Sequence, residues 1–310
     1  MRNAFVDSLC EYVSKGNEAW LLTGDLGYGV VEPFSRRYPQ YFLNCGVNEQ
    51  HMMSMAAGIA STGCPVFVYS IANFPTFRCA EQIRNDVDYH CLPVCIVSVG
   101  AGLSYGALGY SHHAIQDVGL MRLMPNMNIL APVDPIQTSK SVNFFLDEKR
   151  PCYLRMGKAG EPNISNPDNQ LQLNRLNYLG DSQNDGSRTV AILGIGPILG
   201  RLKVQTEPYV ADSLDFFSVP VWSTAGKLPV EDIKKLDRYN KILIIEDHIE
   251  AGGFGSWVVE TLLSAGKFDL GKIKRFSLNR SVINDVGDQR FLEEKYGLDF
   301  NMIIKEINFF

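Results

Sequence analysis

The stretch Gly46-Val47-Asn48-Glu49-Gln50-His51 lies at a change from strand to helix. Residues 41–44 before it predict a strand, and the Met- and Ala-rich segment after it predicts a helix over about 49–61, which ends ahead of Pro65. In α/β proteins, such junctions at the carboxyl edge of a parallel sheet are where ligands bind. Position alone leaves a simpler interpretation of Glu49 open, a helix-start carboxylate stabilised by the helix dipole.

Strands and helices alternate on both sides of this stretch. The continuous apolar run at 94–99 is typical of a strand in a parallel sheet that is covered on both faces. Helical patterns separate the strands, as in layered α/β folds. The predicted strands are residues 19–22, 41–44, 66–69, 94–99, 128–131 and 152–155, followed by 189–193, 213–218, 241–246 and 273–278.

A polar segment separates two such units. Asn, Gln, Asp, Ser, Gly and Pro dominate it, and only one strand, near 171–176, is predicted within it. The sequence therefore predicts an α/β fold of two doubly wound, mainly parallel-sheet domains. We expect the first domain over 1–160, the linker over 161–187 and the second domain over 188–310.

Composition excludes several classes of function. The chain has 310 residues, 45% of them hydrophobic and 20% charged, with a net charge of −5. An acidic chain gives no electrostatic reason to expect nucleic acid or a membrane as a partner, and no apolar run approaches the roughly 20 residues of a membrane span. Seven cysteines without a paired motif are expected to be reduced thiols. We therefore expect a cytoplasmic protein.

Four blocks of sequence, in this order and spacing, resemble the pyrimidine-binding domain of transketolases and 1-deoxyxylulose-5-phosphate synthases. Two further blocks resemble the C-terminal domain of the same family, so the likeness covers essentially the whole chain. The first four are Gly46–Met52 with Ala56–Ala60, then Glu81–Asp86, then the Gly-rich 100–109 loop with Ser111-His112-His113, and then 121–134; the last two are 193–196 and 246–256.

The resemblance implies that Glu49 activates thiamin diphosphate. The aminopyrimidine of this cofactor removes the proton from the thiazolium carbon C2 only in its imino form. A carboxylate that is hydrogen-bonded to the far ring nitrogen favours that tautomer through a short, charge-assisted bond. Aspartate would be about one methylene too short, and glutamine could not relay the proton.

The resemblance also assigns aromatic and histidine residues. An aromatic side chain that stacks on the pyrimidine is expected at Phe74, or at Phe77 if the alignment shifts slightly. Asp25, at the opening of the domain, is expected among the cofactor-binding residues. His112 matches a substrate-contacting histidine, which could stabilise the carbonyl oxygen as it gains charge. His113 is the neighbour with which it could be confused.

Two arginines match residues that bind the sugar-phosphate tail in transketolases. These are Arg155 and Arg2, and the planar guanidinium suits phosphate or carboxylate. For Arg155 a salt bridge at the end of a strand is the competing interpretation.

The metal-binding motif of the family is missing. Gly-Asp-Gly followed by Asn, which holds Mg²⁺ or a similar divalent ion and the diphosphate, is found in a separate N-terminal domain of the family. Here Thr23-Gly24-Asp25-Leu26-Gly27 has Leu at the second glycine position. The resemblance thus implies that this chain is the C-terminal half of a split transketolase. Thiamin diphosphate would be shared with an N-terminal partner subunit that carries the metal, in an α2β2 assembly with self-association through both domains of this chain.

Three departures from sugar-phosphate transketolases concern the substrate. Gly29, Gly100 and Leu108 replace a phosphate-binding Ser, a His and a hydroxyl-binding Asp. Each missing hydrogen bond costs recognition of a polyol phosphate roughly 1 kcal/mol, which favours a larger, modified or carrier-linked acceptor. Three other functions stay open: the β subunit of a 2-oxoacid dehydrogenase E1 component, a carboligase like deoxyxylulose-phosphate synthase, and a non-catalytic partner subunit.

Overall fold

The computed structural model describes residues 1–180, 189–210, 214–266 and 268–308. They form a seven-stranded sheet and a five-stranded sheet, with orders β10-β5-β6-β4-β3-β1-β2 and β12-β11-β8-β9-β7. The strands are β1 Trp20–Thr23, β2 Phe42–Asn44, β3 Val66–Ile71, β4 Val94–Val99, β5 Asn128–Leu130, β6 Cys152–Met156, β7 Asn177–Tyr178, β8 Val190–Gly194, β9 Leu214–Ser218, β10 Val221–Ser223, β11 Lys241–Ile249 and β12 Ile273–Leu278.

Both sheets are parallel except at one edge. Among the described strands of the first sheet, only β10 runs antiparallel, against β5; among those of the second, only β7 does, against β9. Strand β4 is buried at every position, because helices cover both of its faces. The prediction of an α/β fold with mainly parallel sheets is confirmed.

Helices connect the strands. They are α1 Arg2–Ser14, α2 Glu32–Arg37, α3 Glu49–Ala60, α4 Asn73–Phe77, α5 Ala80–Gln82, α6 Asp117–Met121, α7 Pro135–Glu148, α8 Gly196–Val210, α9 Val230–Asp237, α10 Phe254–Ser264, α11 Gln289–Lys295 and α12 Phe300–Asn308. The helical segment after Cys79 has two parts, α5 and a π-helix over Ile83–Asp88. No helix among the described residues is long and apolar enough to cross a membrane.

The two sheets share a hydrophobic core. Strand β10 follows the second sheet's β9 in sequence but joins the first sheet. Its Trp222 is fully buried and packs against Trp257 of α10, with ring centroids 4.9 Å apart. This strand therefore fastens the C-terminal part of the chain to the first sheet.

The polar segment is described as far as residue 180, and the rest of the predicted linker, 181–187, lies outside the described residues, as does Ser213. The strand expected near 171–176 does not form there; the two-residue strand β7 follows at Asn177–Tyr178. All seven cysteines are free thiols.

Candidate active site

Four neighbouring parallel strands bring the predicted residues to one edge of the first sheet. The order β4-β3-β1-β2 places the carboxyl ends of these strands side by side. Asp25 follows β1, Glu49 follows β2, Phe74 follows β3 and His112 follows β4. Residues that are far apart in sequence thus meet at a single rim, as expected for a ligand site in an α/β fold.

Glu49 is the first residue of α3 and is 6% exposed. The Asn48 side chain caps the helix by accepting a hydrogen bond from the His51 N–H at 3.4 Å. The carboxylate oxygen Oε1 of Glu49 lies 2.9 Å from Nη1 of Arg78. A nearly buried carboxylate thus stands at a helix start, with the Arg78 guanidinium beside it.

Arg78 is a site residue that the sequence interpretation missed. It follows α4 directly, and its guanidinium lies 4.3 Å from the centroid of the Phe74 ring while it pairs with Glu49. Phe74 and Arg78 are four residues apart on a helical segment, a spacing that puts side chains on the same face. That spacing was the signal by which Arg78 could have been found.

His112 also packs against Phe74. The two ring centroids are 5.2 Å apart, edge to face, and the Ser111 hydroxyl is 3.0 Å from Nδ1 of His112. Burial lowers the pKa of His112, and the nearby charge of Arg78 lowers it further. Both effects favour the neutral form of the imidazole.

Its neighbour His113 points into the protein. The ring is fully buried, and Nε2 lies 3.4 Å from the Gly106 carbonyl oxygen. Burial lowers the pKa of His113 as well. The structure therefore places His112 at the rim and His113 in the packing beneath the glycine-rich loop.

The two candidate phenylalanines are in different surroundings. Phe74 is half-buried between Arg78 and His112, whereas Phe77 is 47% exposed. Of the two, Phe74 is the one that the structure brings together with Glu49 and His112.

Asp25 is exposed at the rim. Its backbone N–H donates to the Asn44 side chain at 2.9 Å, and its carboxylate accepts from the Tyr28 hydroxyl at 2.5 Å. The hydrogen bond from Tyr28 lowers the pKa of the Asp25 carboxyl most, and a second one from Nδ2 of Asn44 at 3.4 Å lowers it further. Gly24 beside it needs to be small, because a Cβ there would lie 3.1 Å from the Gly46 carbonyl oxygen. The Asp25 loop therefore packs closely on the stretch that leads to Glu49.

Arg155 is not at the rim. It is 1% exposed and pairs with Asp117 at 2.8 Å and with Asp247 at 2.5 Å. Its third nitrogen, Nη2, donates to the Ala114 and Asp247 carbonyl oxygens. Because each guanidinium nitrogen is bonded inside the protein, this geometry does not fit the expected grip on a substrate phosphate. The competing interpretation, a salt bridge at a strand end, describes its surroundings.

Arg2 lies beside two tyrosines. It is half-buried in the first turn of α1, and its guanidinium faces the Tyr69 hydroxyl and lies near that of Tyr105. Burial raises the pKa of Tyr69 to about 12, so the hydroxyl beside Arg2 is a neutral group.

The rim suits one end of an aminopyrimidine-bearing cofactor. A carboxylate, a half-buried aromatic ring and an imidazole stand in one chain of contacts, from Glu49 through Arg78 and Phe74 to His112. Across the part of the chain that the structure describes, no group of three or more His, Cys, Asp or Glu residues could hold a metal ion. These side chains are of the types that can hydrogen-bond and stack on a pyrimidine ring.

Comparison with known proteins covers nearly the full length. A family model described as "Transketolase, pyrimidine binding domain" matches residues 1–160. The chain is 32% identical over 269 residues to one subunit of the apulose-4-phosphate transketolase of Phocaeicola vulgatus, a match that covers 84% of this chain and 83% of that protein. It is 31% identical over 315 residues to the "Putative transketolase C-terminal section" of Methanocaldococcus jannaschii, at 99% and 95% coverage.

A solved structure has the same fold. It is described as "Split gene transketolase, inactive beta4 tetramer" and superposes with a TM-score of 0.79 at 26% identity, covering 99% of this chain and 96% of that one. The similarity therefore extends over both sheets and is not confined to the segment that carries Glu49.

Proposed function

Because the chain belongs to the transketolase family, we propose that it is the C-terminal subunit of a two-chain, thiamin diphosphate-dependent transketolase. It would transfer a two-carbon ketol unit between sugar-like substrates. The proposal rests on the chain of contacts from Glu49 through Arg78 and Phe74 to His112. These side chains offer hydrogen-bonding and stacking groups for the pyrimidine end of the cofactor and for the substrate at the same edge of the sheet.

Each rim residue has a task in this proposal. When bound, thiamin diphosphate supplies the nucleophilic carbon for the transfer. Glu49 shares a proton with the pyrimidine ring nitrogen, and its low exposure strengthens that bond. Phe74 offers a flat face for stacking, with Phe77 as the second candidate, and Asp25 borders the ring from the β1 loop. His112, in its neutral form, donates or accepts a hydrogen bond at a substrate oxygen.

A partner chain completes the site. We propose that it carries the diphosphate and Mg²⁺ or a similar divalent ion, since hard oxygen ligands for such an ion are expected in the N-terminal domain of the family. An α2β2 assembly in the cytoplasm, with this chain also contacting a second copy of itself, is the arrangement we propose. The description of the solved relative as an inactive β4 tetramer supports the idea that the C-terminal subunit alone lacks activity.

The substrate is proposed to differ from ordinary pentose phosphates. A side chain at Gly100 is impossible here, because φ is +94° and a Cβ would lie 2.2 Å from the Tyr105 ring. The Tyr105 ring therefore occupies the space that a side chain at Gly100 would need. Leu108 is 55% exposed, and Gly29 offers no side chain to a phosphate. The absence of polar side chains at these three positions favours a larger or modified acceptor over a small polyol phosphate.

The decisive experiment reconstitutes the complex. A neighbouring reading frame of ~250–300 residues that encodes Gly-Asp-Gly and a downstream Asn is co-expressed with this chain. The complex is then assayed with ketol donors and a panel of aldehyde acceptors, with each subunit alone as the control. Transfer only by the complex supports the proposal.

Release of CO₂ from pyruvate would instead indicate an E1 β subunit or a pyruvate-using carboligase, and no turnover with any pair would favour a non-catalytic subunit. Rapid turnover of xylulose 5-phosphate with ribose 5-phosphate would contradict the proposed substrate class.

A further inference from the structure

The backbone around His112 is bonded at nearly every carbonyl. We call residues 111–115 the histidine loop. The Asn73 side chain donates through Nδ2 to the Ser111 carbonyl oxygen at 3.1 Å and to that of His113 at 2.8 Å. Asn73 is the first residue of α4 and precedes Phe74, so the helix after β3 fixes the amino-terminal part of this loop.

Residues of both sheets fix the other part: Arg155 of β6 in the first sheet, and Asp247 and Ile249 of β11 in the second. Nη2 of Arg155 donates to the Ala114 carbonyl oxygen at 2.8 Å, and Nη1 of the same side chain pairs with the Asp247 carboxylate at 2.5 Å. The Ile249 N–H donates to the Ile115 carbonyl oxygen at 2.9 Å. Asp247 and Ile249 both belong to β11, a central strand of the second sheet.

The glycine-rich loop rests on the same carboxylate. Gly102 pairs with Ala114 through N–H···O bonds in both directions, of 3.0 and 2.8 Å. A Cβ at Gly102 would lie 2.4 Å from Oδ2 of Asp247. Asp247 thus touches the glycine loop directly and reaches the histidine loop through Arg155.

The pairing is buried on all sides. Arg155 and Asp247 are each 1% exposed, and Asp117, the second carboxylate on Arg155, is fully buried and accepts a 2.6 Å hydrogen bond from Tyr153. A buried charge that loses its partner is strongly unfavourable, so such a pair holds its geometry tightly. The guanidinium cannot move away from Ala114 without leaving both carboxylates.

We propose that Asp247, in the C-terminal half, is a positioning residue for His112, acting through Arg155. The two side chains fix the position of the histidine loop relative to Phe74. Through them, the second sheet contributes to catalysis without contacting the substrate. Arg155, which the resemblance assigns to the substrate, acts here on the backbone. This inference rests on the proposed function only in giving His112 a substrate to contact.

The first test needs no activity. Hydrogen–deuterium exchange of the full chain is compared between the wild type and Asp247→Asn, which keeps the size and removes the charge. Exchange in residues 100–115 is expected to rise at least about tenfold in the variant, because the loop loses its charged anchor. The control is Asp232→Asn, another buried carboxylate of the C-terminal half, which pairs with Arg175 at 3.0 Å and accepts from the Leu176 N–H. Unchanged exchange at 100–115 in a folded Asp247→Asn chain would overturn the proposal.

Arg155→Lys keeps the test falsifiable if Asp247→Asn does not fold. A lysine retains the charge between Asp117 and Asp247 but lacks the fork that reaches Ala114. Faster exchange at 112–115 is expected in this variant too, and protection equal to wild type would overturn the proposal.

The second test uses the reconstituted complex. Asp247→Asn is expected to lower kcat by about ten- to a hundredfold and to leave the cofactor Kd within about threefold, because separate elements hold Glu49 and Phe74. In a His112→Ala background the same change should cost less than about twofold, since the residue that it positions is gone. Equal losses in both backgrounds would mean a merely structural role. A wild-type complex without turnover counts against the proposed function and leaves the exchange result standing.

Discussion

Nη1 of Arg78 lies 2.9 Å from Oε1 of Glu49, and the same guanidinium covers the Phe74 ring at 4.3 Å. Arg78 is half exposed, so water screens the pair and its net contribution to stability is at most about 1 kcal/mol. The contact matters instead because it holds a carboxylate and an aromatic ring in one fixed arrangement, and both groups are candidates to contact the pyrimidine.

Glu49→Gln should abolish turnover of the reconstituted complex and leave the fold intact. The amide has nearly the same shape but cannot share a proton with the ring nitrogen, a loss worth about 10²- to 10⁴-fold for acid–base groups. Steady-state kinetics and circular dichroism measure the two outcomes. Glu231→Gln is the matched control, since Glu231 is an exposed first-turn glutamate of α9. Activity within about tenfold of wild type would show that Glu49 has no such role.

Arg78→Ala should weaken thiamin diphosphate binding to the complex while changing the unfolding free energy of the chain by less than about 1 kcal/mol. The variant removes the side chain that pre-organises Glu49 and Phe74, and a site that must be ordered on binding loses affinity. Isothermal titration of the complex and chemical denaturation of the chain provide the two numbers. Arg84→Ala, which changes an exposed arginine at the start of the π-helix, serves as the comparison. An unaltered cofactor Kd would mean that Arg78 does not contribute to cofactor binding.

The isolated chain should not bind thiamin diphosphate tightly, with or without Mg²⁺. The rim offers groups for the pyrimidine, and among the described residues no acidic cluster could hold the metal that a diphosphate requires. Titration calorimetry of the chain alone, followed by titration after addition of the partner, tests this directly. A Kd of about 1 μM or below for the lone chain would contradict the division of the site between two subunits.

Most of the strands could be predicted from the sequence, because a parallel strand that is buried on both faces is a continuous run of apolar residues. Strand β12 has the predicted limits, and β4 coincides residue for residue with the apolar run at 94–99. Strand β10 was not predicted, since three residues that pair antiparallel at an edge, Val221–Ser223, have too short a pattern to stand out. Its place depends on Trp222 meeting Trp257, a contact that local sequence does not encode.

The candidate site divides in the same way. The grouping of Glu49, Phe74 and His112 follows from where the strands end, so it could be anticipated from order along the chain. Whether an arginine at a strand end faces solvent or the interior depends on its partners. For Arg155 one of these partners is Asp247, which lies 92 residues further along and in the other sheet. Sequence spacing carries no information about such a pairing.

Glu246 should make stability depend on pH between about 5 and 7. Burial raises the pKa of this carboxyl to about 7, against the opposing effect of Arg275, while Oε1 accepts a hydrogen bond from the Gly255 N–H at 3.1 Å. Since the folded pKa exceeds the ordinary value of 4.5, the favourable contribution is complete below pH 4.5 and is lost as the pH rises through 7. Glu246→Gln stays neutral, so its unfolding free energy relative to wild type should improve by up to about 3 kcal/mol between pH 5 and 8. Urea denaturation at several pH values measures this, with Glu250→Gln, an exposed neighbour, as the control. A difference between variant and wild type that stays constant with pH would show that Glu246 is ionised throughout, with Arg275 compensating fully for its burial.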